Sequence, residues 1–109
     1  MSRGDIWTAT GGVYASKPRP VLIVQDDRFD GTESITVLPL TSTDGGSMPL
    51  FRFPVVPGPT SGLTAESWVM VDKITTVRRA RMDRYVGRLS ATEMVAIERL
   101  VIVFLGLAS

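Results

Sequence analysis

Two junctions in this chain carry the side chains best suited to chemistry. Arg19 stands directly before the apolar run Pro20-Val21-Leu22-Ile23-Val24, and Thr41, Ser42 and Thr43 follow the run that ends Pro39-Leu40. A guanidinium is a permanent cation with a planar fork of N–H donors, and a hydroxyl both donates and accepts. Both suit an anionic oxygen such as that of a phosphoryl group. Asp72 follows the apolar stretch Trp68 to Val71, precedes Lys73, and adds a carboxylate at a third strand end. Each also has a plainer reading. Arg19 fits a solvated charge at a strand start, Thr41 to Thr43 a hydroxyl-rich turn that caps its own backbone, and Asp72 a carboxylate paired with nearby cations. Position alone does not lift any of them above that reading.

The densest basic run is Arg78, Arg79, Arg81, Arg84 and Arg88. It is either a solvated face or an electrostatic footprint for a phosphate backbone or an acidic partner. Tyr14 and Phe29 sit in loops and are the better candidates for stacking on a base, whereas Trp7, Phe51 and Trp68 read as core residues. The chain has no cysteine and no histidine. That removes thiolate nucleophiles, disulfides, the commonest metal ligand and the usual general base. An enzyme built from it works with arginine, lysine, carboxylates and hydroxyls. No Gly-rich phosphate loop, metal-ligand cluster or Ser/His/Asp arrangement is present, and no cofactor is expected. The net charge of +1 gives no global pull toward nucleic acid, so any such binding comes from a local patch. The N-terminus lacks a secretory h-region, and the apolar run Leu100 to Leu107 is too short to span a bilayer. The expected location is the cytoplasm, with no membrane partner.

The elements that must hold these groups read as short strands followed by one helix. Strands are expected from Ile6-Trp7, over Pro20 to Gln25, Ser34 to Leu40, Leu50 to Phe53 and Ser67 to Val71. Shorter pieces follow at Ile74 to Val77 and Tyr85 to Arg88, around a turn at Ala80 to Asp83. Pro20 fits only at a strand's first residue or on an edge, because it donates nothing to the ladder. Pro54, Pro57, Pro59, Ser61 and Gly62 read as a long loop. Ser90-Ala91-Thr92-Glu93 is a capping box that opens a helix carrying Met94, Ile97, Val101 and Phe104 on one stripe. Its last turns, Leu100 to Leu105, are apolar all round and call for burial on every side. One small sheet covers one side, so a second copy of the chain is the simplest cover for the other. The 109 residues are expected to form one domain, mainly β (α+β). The expected architecture is a small barrel or strongly bent sheet with a C-terminal helix, since no helices connect the strands.

Along nearly its whole length the chain resembles one family. The stretches that carry the likeness are Arg3-Gly4-Asp5-Ile6-Trp7, Arg19-Pro20-Val21-Leu22-Ile23-Val24-Gln25, Val37-Leu38-Pro39-Leu40-Thr41, Gly62-Leu63, Ser67-Trp68-Val69-Met70-Val71-Asp72 and Gly87-Arg88-Leu89-Ser90. In order and spacing they resemble the MazF/PemK (Kid) toxin endoribonucleases. The resemblance implies an SH3-like barrel of the CcdB/MazF kind, acting as a homodimer. It implies metal-independent cleavage of single-stranded RNA, such as messenger RNA, at short sequences, leaving 2′,3′-cyclic phosphate and 5′-hydroxyl ends. It implies an acidic MazE-type antitoxin as partner, through which the toxin–antitoxin complex contacts operator DNA.

The family's catalytic arginine falls on Arg19, its threonine on Thr41, and an aspartate of the Kid branch on Asp72. Ser42 and Thr43 are further catalytic or substrate-binding candidates. Ser16, Lys17, Tyr14, Phe29, Lys73, Arg78 and Arg79 are candidates for RNA contact. Two departures stand out. The loop before Arg19 is short and has Ala15-Ser16-Lys17 where many members have a Glu-Gln pair. The arginine that stands two residues before the aspartate in Kid is Met70 here. By that correspondence no Arg/Asp pair is available, and chemistry at Arg19 and Thr41 is favoured. Arg19 then acts as a charge stabiliser and candidate proton donor and not as a base, because a guanidinium already carries its proton at neutral pH, and Thr41 orients the phosphate. The rival readings are a CcdB-like gyrase inhibitor and an inactive protein-binding barrel. The C-terminal Phe104-Leu105-Gly106-Leu107-Ala108-Ser109 lacks the tryptophan expected of the first.

Overall fold

A computed structural model describes residues 1–11, 17–43 and 50–108. Its strands are β1 Asp5–Ala9, β2 Arg19–Ile23, β3 Ser34–Thr41, β4 Arg52–Val55, β5 Ser67–Met70, β6 Thr75–Arg78 and β7 Met82–Arg88, followed by helix α1, Ala91–Phe104. They pair antiparallel in the order β4-β5-β3-β2-β1-β7, and β6 also pairs with β3. β3 is long enough to hold two partners in succession. Its first half, Ser34 to Val37, pairs with β6, and its last two residues, Leu40 and Thr41, pair with β5. A 3-10 turn at Val71–Lys73 carries the chain from β5 to β6.

The run Val21-Leu22-Ile23 is buried on both faces, as a continuous apolar strand requires. Leu22 joins Ile6, Leu38, Leu40, Val69 and Val71 on the face covered by Met94 and Ile97 of α1. Val21 and Ile23 join Ile35 and Val37 on the opposite face, packed with Trp7, Ala9, Val77 and Met82. A 3-10 turn at Arg79–Arg81 links β6 to β7 and curls the sheet around this inner cluster. Two register shifts in the β1–β7 ladder, at Ile6/Trp7 and Thr8/Ala9, add local twist. The expected class is therefore found: a bent antiparallel sheet with a C-terminal helix.

The helix begins as its capping box predicts. Ser90 Oγ accepts from the Glu93 amide at 3.1 Å, and Glu93 Oε1 accepts from the Ser90 amide at 2.9 Å. Ser90→Ala is expected to destabilise the protein by about 1 kcal/mol, read as a lower urea midpoint at unchanged m-value. The far end of α1 is not buried by its own sheet. Ile102, Phe104 and Leu105 are exposed, and Val103 is 64% and Leu107 73% accessible.

Several boundaries differ from the sequence reading. β4 begins at Arg52 and includes Pro54, which was assigned to the loop; β4 is an edge strand, where a missing N–H costs no ladder bond on its open side. Pro20 is the second residue of a central strand, not the first. There β2 is paired with β1 alone, since the β2–β3 ladder starts at Val21, so the position is locally an edge. β2 ends at Ile23, although the Val24 amide still donates to Thr36 O at 3.2 Å, and the Gln25 side chain then ties the next loop, donating to Phe29 O and Thr32 Oγ1, each at 2.8 Å. The last strand runs from Met82, because Met82 packs into the inner cluster and pairs with Ala9.

Candidate active site

β2 and β3 pair through Val21–Pro39, Leu22–Leu38 and Ile23–Val37, and the ladder stops there. Arg19 and Thr41 occupy corresponding positions two residues beyond the last pair, on the same face as Val21 and Val37 by the two-residue repeat of a strand. The backbone thus sets a guanidinium and a hydroxyl on either side of the point where the two strands part. Arg19 is paired on its other side with Ala9, and Thr41 with Trp68, so both stand on ordered strand ends.

Thr41 Oγ1 accepts the Thr43 amide at 3.2 Å and lies 2.9 Å from Thr43 Oγ1. This is the self-capping turn of the plainer reading. It leaves the Thr41 hydroxyl in a fixed place, with a proton that either Thr43 or an anionic oxygen can accept. Ser42 and Thr43 are exposed beside it. Arg19 and Lys17 are exposed and have no carboxylate within ion-pairing distance among the described residues. Tyr14 and Ser16 lie outside the described residues.

Asp72 corrects an expectation. An Arg/Asp pair is present: Arg52 donates from Nε to Oδ1 at 3.0 Å and from Nη2 to Oδ2 at 3.3 Å, with side chains only 12% and 17% exposed. The arginine comes from the neighbouring strand, because Arg52 pairs with Met70 across the β4–β5 ladder. A search at fixed spacing along the chain misses it for that reason. The one local signal was the alternation Leu50-Phe51-Arg52-Phe53, which turns Arg52 away from the face of its aromatic neighbours. Phe51 packs edge-on against Phe104 of α1, with centroids 5.3 Å apart. Lys73 is exposed next to Asp72.

The remaining candidates are not brought to this end. Arg78 lies opposite Ser34, seven residues along β3 from Thr41, or about 23 Å. It pairs with Glu33 at 3.5 Å. Arg79 donates to the carbonyls of Thr32 and Phe29 and so fastens the loop that carries Phe29. Nearby, hydrogen bonds from the Arg28 side chain and amide hold the Asp26 carboxyl below its ordinary range. Trp68, read as a core residue, is half-buried and belongs to neither hydrophobic cluster among the described residues.

Comparison with known sequences decides the affiliation. The profile of the PemK-like, MazF-like toxins of type II toxin–antitoxin systems matches residues 2–105. The chain belongs to this family. It is 52% identical to a probable endoribonuclease MazF of Mycolicibacterium smegmatis over 109 residues, covering 99% of each chain. Among solved structures, the Mycobacterium tuberculosis toxin MazF-mt6 superposes with a TM-score of 0.80 at 26% identity, over 96% of this chain and 99% of that one. A mycobacterial endoribonuclease in complex with its cognate antitoxin has the same fold, with a TM-score of 0.76 at 24% identity over 100% and 96% of the two chains. Membership in the MazF-like toxins assigns the chain endoribonuclease activity, the enzyme class that the sequence resemblance implied. No helix among the described residues is long and apolar enough to cross a membrane.

Proposed function

We propose that this chain cleaves single-stranded RNA by attack of a ribose 2′-hydroxyl on its own 3′-phosphate. The new bond is from the 2′-oxygen to phosphorus, and the bond from phosphorus to the 5′-oxygen breaks. The products are a 2′,3′-cyclic phosphate and a 5′-hydroxyl. The 2′-hydroxyl proton passes to solvent. The departing 5′-oxygen takes a proton from Arg19, since an alkoxide is a stronger base than neutral guanidine, and solvent restores the guanidinium. In the transition state the negative charge lies on the non-bridging phosphoryl oxygens, where Arg19 and Thr41 donate. The single observation that supports this reading is the register. It sets an arginine without an ion pair among the described residues and a threonine hydroxyl at matching positions where β2 and β3 part.

In this reading no metal or cofactor takes part, and Lys17 and Lys73 add attraction for the backbone. Asp72 is held by Arg52 and serves the framework. The domain, residues 1–109, works in the cytoplasm as a homodimer that covers the exposed apolar end of α1. An acidic MazE-type antitoxin neutralises it, and the pair contacts operator DNA through the antitoxin. The antitoxin complex recorded for a mycobacterial endoribonuclease of the same fold supports an antitoxin as partner.

The test is to incubate purified protein with a long mixed-sequence RNA in EDTA and map the new 5′-hydroxyl ends. Cuts at one recurring short sequence are expected. If diverse RNAs stay intact while the protein inhibits gyrase, the ribonuclease mechanism is wrong for this chain.

A further inference from the structure

We infer that Trp68 and Arg81 are RNA-binding positions on either side of the cleaved phosphate, Trp68 stacking a base and Arg81 holding a backbone phosphate. The inference rests on the reading that Arg19 and Thr41 are the catalytic pair. Two rows of paired residues meet at that pair. On one side the ladders run Arg19–Ala9–Met82, across β2, β1 and β7. On the other they run Thr41–Trp68–Pro54, across β3, β5 and β4. Directly paired residues share a face, so Trp68 stands beside Thr41, one strand spacing or about 5 Å away. Arg81 precedes Met82, two strand spacings beyond Arg19, or about 10 Å.

Trp68 is not consumed by the core. It is half-buried and absent from both hydrophobic clusters among the described residues. Trp7, by contrast, packs into the inner cluster and meets Tyr85 edge-on at 6.1 Å between centroids. A half-open indole next to a phosphate-binding hydroxyl is a stacking platform of the kind single strands use, and it tolerates any base because every base has a π-face.

Arg81 is held in place by backbone. Its carbonyl accepts from the Thr10 amide at 2.9 Å and from Thr10 Oγ1 at 3.2 Å. Its guanidinium lies against the bare Cα of Gly11, where any Cβ would overlap Nη1. Gly11 has φ +74°, a conformation that itself favours glycine. Arg81 has no carboxylate within ion-pairing distance among the described residues, nor do Lys17 and Arg19. Arg3, Arg28, Arg52 and Arg78 are all paired. Lys73, Arg79, Arg84, Arg88 and Arg99 also lack an ion pair among the described residues, and Arg79 is spent on the Phe29 loop. Lys17, Arg19 and Arg81 are the three whose position along the chain or the ladder sets them by the end of β2 that carries Arg19, where a polyanion gains from them.

The test uses binding, so that it does not depend on cleavage. The probe is a short, fluorescein-labelled, mixed-sequence 2′-fluoro RNA, which has no attacking hydroxyl. Trp68→Leu keeps apolar volume without a ring and is expected to weaken binding roughly 5- to 100-fold, whereas Trp68→Phe keeps a π-face and stays near wild type. RNA is expected to quench the intrinsic fluorescence of wild-type protein, and Trp68→Leu to lose that quenching. Arg81→Ala is expected to reduce the slope of log affinity against log salt by about 0.7. Arg28→Ala, which removes a paired cation at the other end of the sheet, is the control and leaves both readings unchanged. If Trp68→Leu and Arg81→Ala bind and quench like wild type while Arg19→Ala still abolishes cutting, this inference falls and the catalytic assignment stands. If Arg19→Ala cuts normally, the catalytic assignment falls with it.

Discussion

Arg19→Ala is expected to lower the rate of RNA cleavage about 10²- to 10³-fold, the usual cost of removing one preorganised donor to a developing oxyanion. Folding stability is expected to change by less than about 0.5 kcal/mol, because the side chain is exposed and has no ion pair to lose among the described residues. The two measurements belong together: single-turnover cleavage of a mapped RNA site, and a urea unfolding curve. Arg19→Lys separates charge from geometry. A lysine supplies the charge without the planar fork, so only part of the rate is expected to return. Thr41→Ala should cost a similar factor, and the double variant less than the product of the two, since both residues act on one phosphoryl group. An Arg19→Ala enzyme that cleaves at the wild-type rate would remove the guanidinium from the mechanism.

Arg52→Ala is expected to destabilise the fold by about 3 kcal/mol. It leaves the Asp72 carboxylate largely shielded from water and without its cation. For a domain of this size that corresponds to a fall in Tm on the order of 15 °C, readable by calorimetry or circular dichroism. The paired replacement Arg52→Met with Asp72→Leu should recover most of the loss, because exchanging a shielded ion pair for apolar side chains is often neutral or better. Asp72→Asn distinguishes a structural carboxylate from a chemical one. It keeps the shape and weakens the pair, so stability should fall while the cleavage rate per folded molecule holds. A rate loss far larger than the stability loss would instead place Asp72 in proton transfer.

The Arg52–Asp72 pair also marks the limit of reading along the chain. Its two members are twenty residues apart and meet only because the β4–β5 register sets Arg52 against Met70. A missing arginine at a neighbouring sequence position suggested that no pair existed. The arginine was instead supplied from an adjacent strand, and nothing next to Asp72 in the sequence could announce it. The basic run behaved in a similar way. Its members look equivalent in sequence, yet a 3-10 turn sends Arg78 and Arg79 toward the Phe29 loop and leaves Arg81 at the end of β1. Trp68 was classed with the core on residue type, whereas its place in neither cluster depends on which faces α1 and the bent sheet cover.

What was legible locally follows from short-range physics. The apolar run around Leu22 required burial on both faces, the capping box placed the start of α1, and the lack of histidine and cysteine narrowed the chemistry to arginine, lysine, carboxylates and hydroxyls. Order and spacing of the short stretches pointed to the family. Only the tertiary structure decided which side chains share an end of the sheet. Strand pairing joins residues far apart in the chain, and a shift of one residue turns every side chain to the other face. The cation before β2 was therefore readable from the sequence, but its neighbours across the sheet were not.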